Sequence, residues 1–340
     1  MPQLDFDRIT LGHGSGGLLT NRLLDEGVFK RFRNQHIQQR HDGVVLNDLQ
    51  GSLAFTTDSF VVSPLFFPGG NIGDLAVNGT VNDLLMCGAK PRYLSLAMIL
   101  EEGLMMEEYW EVLLSVEHAA ERAGVQVVTG DTKVVDKGKG DKLFINTTGV
   151  GEVIAGAAID HRNVEVGDVV LVSHSIAHHG MTIMMQREGL RFDSSLESDS
   201  RPLNSPVLSL IETFGDRVKL LRDPTRGGVA TVLNEIATQV NVGVQLASDQ
   251  VPLDETVASA CEILGIDPLY VANEGVFIAV LSAEIAEDAV QLLHDFSETK
   301  RASIIGRITD EHPRKVVMNS GLGGRRVVNM LTGEQLPRIC

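Results

Sequence analysis

Five aspartates stand where a chain that handles phosphate would need them. Asp42 precedes Gly43-Val44-Val45, Asp58 lies in Thr56-Thr57-Asp58-Ser59-Phe60, and Asp83 ends Val81-Asn82-Asp83. Asp131 follows in Thr129-Gly130-Asp131-Thr132-Lys133, and Asp223 opens Asp223-Pro224-Thr225-Arg226-Gly227-Gly228. Hard oxygen ligands are what Mg²⁺ takes, and enzymes of ATP often hold the ion with one or two carboxylates plus the phosphates. Any one of these residues also suits a turn or a helix cap, and Asp223 before Pro224 reads as an N-cap. The segment Leu11-Gly12-His13-Gly14-Ser15-Gly16-Gly17 adds glycines, Gly14 and Gly16 among them, that let backbone N–H groups turn toward a phosphate. It lacks the Gly-Lys-Ser/Thr ending of a P-loop, and a flexible turn explains it as well.

Three further side chains have types suited to catalysis. Lys133 follows a strand pattern beside Asp131, where a cation neutralises phosphate or steadies an oxyanion, or simply pairs with Asp131 in solvent. Glu274, in Ala272-Asn273-Glu274-Gly275, is placed as a proton acceptor at a cleft or as a turn residue. Cys340 is the last residue, on a tail containing Pro337. A thiol there is no core packing, and its own terminal carboxylate disfavours the thiolate. As an attachment point it makes an encounter intramolecular. His174, His178 and His179 have no nearby cysteine or spaced fourth ligand, so they read as a surface or helix-start loop. Cys87 and Cys261 lie in apolar stretches and read as core residues.

The elements that must position these groups alternate. Strand patterns cover Ser52–Asp58, Arg92–Leu100, Val125–Gly130 and Lys142–Val153, with helical spacing over Ile72–Cys87 and Glu107–Arg122. The pattern relaxes over 156–166. It restarts with a strand at Val169–Ser173, helices near 180–189, 204–214, 227–240 and 254–264, strands at 275–282 and 302–308, and a helix at 283–297. Ser194–Ser200 is polar and turn-rich and reads as an exposed loop. Two halves mixing strands and helices predict two α+β domains, 1–155 and 156–332, with a cleft between them. Residues 333–340 form a mobile tail, whose seven peptide steps span about 23–25 Å, enough to cross a cleft.

Composition narrows the function. The 340 residues are 43% hydrophobic and 22% charged, with net charge -16. A surface that negative disfavours nucleic acid and anionic lipid. No apolar run reaches the length of a membrane span and the N-terminus lacks a signal-peptide layout, so the expected location is cytoplasmic. Three cysteines without C-x-x-C spacing give neither a disulfide framework nor a zinc site.

Taken together, the chain resembles the HypE family of hydrogenase maturation proteins, in the superfamily of aminoimidazole ribonucleotide synthetase and selenophosphate synthetase. The resemblance is carried in order by His13–Gly17, Thr56–Gly70, Leu75–Asp83, Thr129–Lys133, Asp223–Glu235 and the ending Pro337-Arg338-Ile339-Cys340, which related ATP enzymes lack. It implies a two-domain α+β aminoimidazole ribonucleotide synthetase-like fold, a homodimer through the N-terminal domains, and ATP with Mg²⁺ at Asp42, Asp58, Asp83 and Asp223. It implies that the carbamoyltransferase HypF loads a carboxamide onto Cys340. ATP then activates its oxygen, Lys133 and Glu274 polarise and deprotonate it, and the resulting thiocyanate passes to HypC–HypD as the cyanide of the [NiFe] hydrogenase iron centre. The sequence departs from the family at Ser173–Gly180, where glycines and Asp-His-Gly are usual, and at Asn71, where Asp is usual. The alternatives are another enzyme of the superfamily acting on a free small molecule, for which Cys340 is dispensable, and a non-catalytic maturation scaffold.

Overall fold

The computed structural model describes residues 6–15, 17–40, 43–189, 196–321, 323–331 and 338–340. Its elements in chain order are α1 (Leu18–Leu23), β1 (Leu53–Phe60), β2 (Phe66–Phe67), β3 (Gly70–Asn71), α2 (Ile72–Met86), β4 (Ala89–Glu101), α3 (Met106–Ala123), β5 (Gln126–Val135) and β6 (Leu143–Val153). The second half contributes β7 (Val169–Val172), α4 (His178–Glu188), α5 (Asn204–Phe214), β8 (Val218–Arg222), α6 (Gly228–Val240), β9 (Gly243–Ala247) and α7 (Glu255–Leu264). It closes with β10 (Ile278–Leu281), α8 (Ala286–His294), β11 (Ser303–Thr309), β12 (Val316–Asn319) and β13 (Arg325–Val328). Most boundaries fall within a few residues of the sequence patterns. Strands β8, β9, β12 and β13 had no such forecast, being short and without long alternation.

The first sheet has strand order β1-β6-β4-β5, with β4 and β5 parallel and the other pairs antiparallel. Alternation along β6 puts Ile145, Thr147 and Gly149 on a face covered by helices, and Phe144, Asn146 and Thr148 on an open face. Helix α2 is apolar almost all round because it is buried on nearly every side. Asn71 caps it by accepting from Gly73 N–H at 2.8 Å, while Asp74 accepts from Asn71 N–H at 3.2 Å. Asparagine thus does at this position what an aspartate would do as an N-cap.

The second sheet has the order β13-β12-β9-β11-β7-β10-β8. Every residue of β10 is buried, so it reads as a continuous apolar run. Ala279 and Leu281 join a core that also contains Ile72, Leu75 and Val81 of α2 and Leu203, Val207 and Leu210 around α5. Ile278 and Val280 face a second core with α6 and α7. One apolar core therefore runs from the first half into the second, and truncating one of its fully buried leucines to alanine should cost about 2–5 kcal/mol. That continuity fixes the end of α2 against the end of β8 and the start of β10. Among the described residues no helix is long and apolar enough to cross a membrane.

Cys261 is buried as its pattern suggests, but Cys87 is exposed. Cys87 follows the last turn of α2 as its C-cap, where the apolar spacing outlasts the packing.

Candidate functional site

Four of the acidic side chains gather where the two halves meet. Asp58 comes from β1, Asp83 from the last turn of α2, Asp223 from the residue after β8, and Glu274 from the segment leading into β10. Asp83 accepts a hydrogen bond from the Thr56 hydroxyl at 2.8 Å. Burial and the neighbouring Asp223 still push its carboxyl up to about 7, with Asp58 adding to the effect. Asp58 and Asp223 are raised too, mainly by burial. Glu274 is 4% exposed, and burial, then Asp199, Asp223, Asp58 and Asp83, hold it well above the ordinary glutamate range. Its Oε1 is buried without a hydrogen-bond partner. Like charges gathered out of water cost free energy unless something cationic or protic enters, which marks a functional cluster. Asp223 is not an N-cap: the N-cap of helix α6 is Gly227, whose φ of 72° suits glycine.

The chain's end reaches this cluster. Val61 N–H donates to a main-chain carboxylate oxygen of Cys340 at 3.1 Å, and Ser63 N–H to the Arg338 carbonyl oxygen at 3.3 Å. Ile339 is 3% exposed, sealed in the core shared by both halves. The Arg338 guanidinium donates to Val61 O at 3.2 Å and also pairs with Asp141. Burial, then the Glu274 carboxylate, pushes the Cys340 thiol up to about 12, while Arg226 acts in the opposite sense. Residues 332–337 lie outside the described set.

A second group of expected residues sits elsewhere. Gly14, Asp131 and Lys133 line a cavity of about 600 Å³ with Thr20, Asn21 and Arg40. Gly14 allows close approach: a Cβ there would lie 2.7 Å from Val134 N. Lys133 pairs with Asp131 at 3.0 Å, both more than half exposed. Register places Lys133 opposite Ile99 and Phe144 on the open face of the first sheet, whereas Asp58 pairs with Thr147 on the helix-covered face. Strands β5 and β1 are also opposite edges. Within one chain, then, Lys133 is not brought to Glu274 and Cys340. Asp42 and Gly16 lie outside the described residues.

Several contributors had no sequence forecast. Asn78 and Asn82, one helical turn apart on α2, are fully buried; Asn82 Nδ2 donates to Glu274 O at 3.1 Å and Asn78 Nδ2 to Ser200 Oγ at 3.1 Å. Two asparagines at i, i+4 inside an apolar helix were a readable signal. The segment 196–201 is not an exposed loop: Leu196 and Asp199 are buried, and Asp199 Oδ1 accepts from Glu274 N–H at 3.0 Å. Asp199 Oδ1 and the Ser198 hydroxyl find partners inside the protein, which composition cannot distinguish from solvation. The histidines do start a helix, α4, but His179 is fully buried instead of lying at the surface.

Among the described residues, no three His, Cys, Asp or Glu side chains converge to hold a metal by themselves. The oxygen-only donor set nonetheless suits Mg²⁺ completed by phosphate oxygens.

Comparison with known proteins agrees with this geometry. The chain matches the AIR synthase related protein N-terminal domain over residues 40–153 and the C-terminal domain over 165–319. The carbamoyl dehydratase HypE of Azotobacter vinelandii is 46% identical over 332 residues, covering 98% of this chain and 97% of the relative. The crystal structure of a hydrogenase maturation protein HypE in complex with ATP aligns with a TM-score of 0.94 at 47% identity, covering 97% of this chain and 99% of that one. A HypE–HypF complex contains a chain aligning with a TM-score of 0.80 at 44% identity, covering 91% of this chain and 99% of that one.

Proposed function

Because the chain belongs to the HypE family of AIR-synthase-related hydrogenase maturation proteins, we propose that it is an ATP-dependent carbamoyl dehydratase whose substrate rides on its own Cys340. The observation that carries this reading is the docked terminus, which sets the Cys340 thiol beside Glu274 and the aspartate cluster.

The chemistry follows from the site. A thiocarboxamide on Cys340 is neutral, so burial costs it none of the charge penalty that a thiolate would pay. Loading by HypF therefore takes place with the thiol outside, and dehydration with the tail docked. The carboxamide oxygen attacks the γ-phosphate of ATP as the first of its two N–H protons leaves, giving ADP and an O-phosphorylated imidate that keeps one N–H. Loss of its N–H proton with departure of phosphate leaves S–C≡N. Glu274 is the proton acceptor, since burial and its acidic neighbours give it a stronger hold on a proton than an ordinary carboxylate has, which favours a general base. Asp58, Asp83 and Asp223, with Asp42, would hold Mg²⁺, which would supply charge neutralisation on the phosphates. The aspartates orient the nucleotide, and the buried Ile339 excludes water from the reacting carbon.

The glycine cluster at Gly14 and Gly16, with Asp131 and Lys133, forms the second half of the nucleotide site, contributed by another copy. Leu53, Phe55 and Ile99 are exposed on the open face of the first sheet, and that row supports a homodimer closing there. Lys133 would then polarise the thiocarboxamide from across the interface. The domains are 1–155 and 156–332, with 333–340 as the carrier tail. HypC–HypD takes the cyanide, and the protein works in the cytoplasm. Intact-mass spectrometry after incubation with HypF, carbamoyl phosphate and ATP tests the reading: a gain of one carboxamide followed by loss of one water supports it, and a loaded mass unchanged by ATP contradicts it.

A further inference from the structure

His179 belongs to neither the acidic cluster nor the glycine pocket, yet it touches the docked tail directly. It sits in the first turn of α4, fully buried, with the Phe67 ring edge-on at 5.5 Å. Its Nε2 lies 2.9 Å from the Ile339 carbonyl oxygen and its Nδ1 2.7 Å from Ser198 Oγ. A carbonyl oxygen only accepts, so Nε2 carries the hydrogen. In the neutral ring Nδ1 must then accept, and the Ser198 hydroxyl donates to it. Burial, the main cause of a lowered pKa at this ring, favours that neutral form. Ser198 Oγ in turn accepts from Ser200 N–H at 3.1 Å, so the hydroxyl's direction is set.

The position of the ring is fixed from the backbone. Ala177 N–H donates to Asn273 Oδ1 at 2.7 Å, and Gly180 N–H to Ala272 O at 3.0 Å. A Cβ at Gly180 would lie 2.6 Å from Val271 Cγ1, so only glycine lets α4 press this closely on the segment leading to Glu274. On its other side, Ser198 is next to Asp199, which holds Glu274 N–H. One hydrogen-bonded chain thus joins the residue before the carrier thiol to the segment that anchors the base.

We infer that His179 is the positioning residue for the carrier tail: as the Nε2–H tautomer set by Ser198, it holds the Ile339 carbonyl and so fixes Cys340 beside Glu274. The consequence for turnover rests on the dehydratase reading; the docking role does not.

The test uses the full-length protein and three variants, His179→Phe, His179→Gln and Ser198→Ala. Docking is read without nucleotide as the rate of Cys340 alkylation by iodoacetamide, assigned by peptide mass spectrometry. Turnover is read as single-turnover water loss from carboxamide-loaded chain across ATP concentrations. Losing this buried hydrogen bond in His179→Phe should speed alkylation and slow water loss, each by about ten- to a hundredfold. Half-saturation by ATP should stay unchanged, a split that general destabilisation would not give. Gln, whose amide keeps a donor near the Nε2 position, should recover most of both losses. Ser198→Ala should lie between Phe and wild type, since the tautomer is no longer enforced. The inference is overturned by wild-type alkylation in a folded His179→Phe, or by Gln as impaired as Phe. If Phe does not fold, a Ser198→Ala chain indistinguishable from wild type overturns it. Absence of water loss in the wild type refutes the dehydratase reading, while the alkylation rates still decide the role of His179.

Discussion

The backbone N–H of Val61 donates to a main-chain carboxylate oxygen of Cys340 across 3.1 Å, tying the last residue of the chain to the exit of the strand that carries Asp58. The Cys340 thiol is thereby held at the carboxylate cluster, and Glu274 is the one buried carboxylate whose field acts on it most strongly.

Glu274→Gln should retain ATP binding and accept the carboxamide on Cys340, yet lose about two to four orders of magnitude in dehydration, the usual worth of a positioned base. Rapid-quench mass spectrometry of the loaded variant checks it. Wild-type rates would remove Glu274 from the proton transfer.

Asp83→Asn should be inactive and also more stable. The Asp83 carboxyl is raised to about 7 from an ordinary 3.8. Between about pH 4 and pH 7 the folded chain holds a proton that the unfolded chain has lost, so this group's contribution to stability falls as pH rises through that window. The asparagine variant escapes the loss. Its nucleotide-free Tm should exceed wild type by more at pH 8 than at pH 5, by about 2–4 °C for each kcal/mol recovered. A gain independent of pH would show that the cluster is not strained by charge.

How much of this was legible beforehand depends on the kind of signal. Long periodic segments such as α2, α3 and β6 declared themselves, and Asp58, Asp83, Asp223, Glu274 and Cys340, singled out by chain position, glycine neighbours and the family ending, come together in the fold. What was not legible depends on three-dimensional pairing. Asp199 and Ser198 lie in a run whose polarity suggests solvent, but their partners are backbone groups and a histidine from distant segments. Lys133 reads as a neighbour of the cluster until register places it on the opposite face of the sheet.

Gly14→Ala should weaken ATP binding by about tenfold, the order of one lost hydrogen bond to a charged group, because the added Cβ would collide with the Val134 backbone. Cys340 alkylation should not change. Equilibrium nucleotide binding measures the first, and unaltered affinity would detach the glycine cluster from the nucleotide site.

Phe55 is 71% exposed on the open sheet face. Phe55→Glu should give a monomer by light scattering, with ATP turnover lost. Mixing the two inactive variants Lys133→Ala and Glu274→Gln should restore activity, since a hybrid pair contains one site with both residues intact. Failure of the mixture to recover would place Lys133 outside the reaction.

The most direct measurement is the intact mass of carboxamide-loaded protein in a single turnover with ATP and Mg²⁺, wild type beside Cys340→Ser. The expected wild-type result is loss of one water from the loaded chain with one ADP formed, and no loading at all in Cys340→Ser. Thiocyanate formed by the serine variant would contradict a carrier role for the terminal thiol.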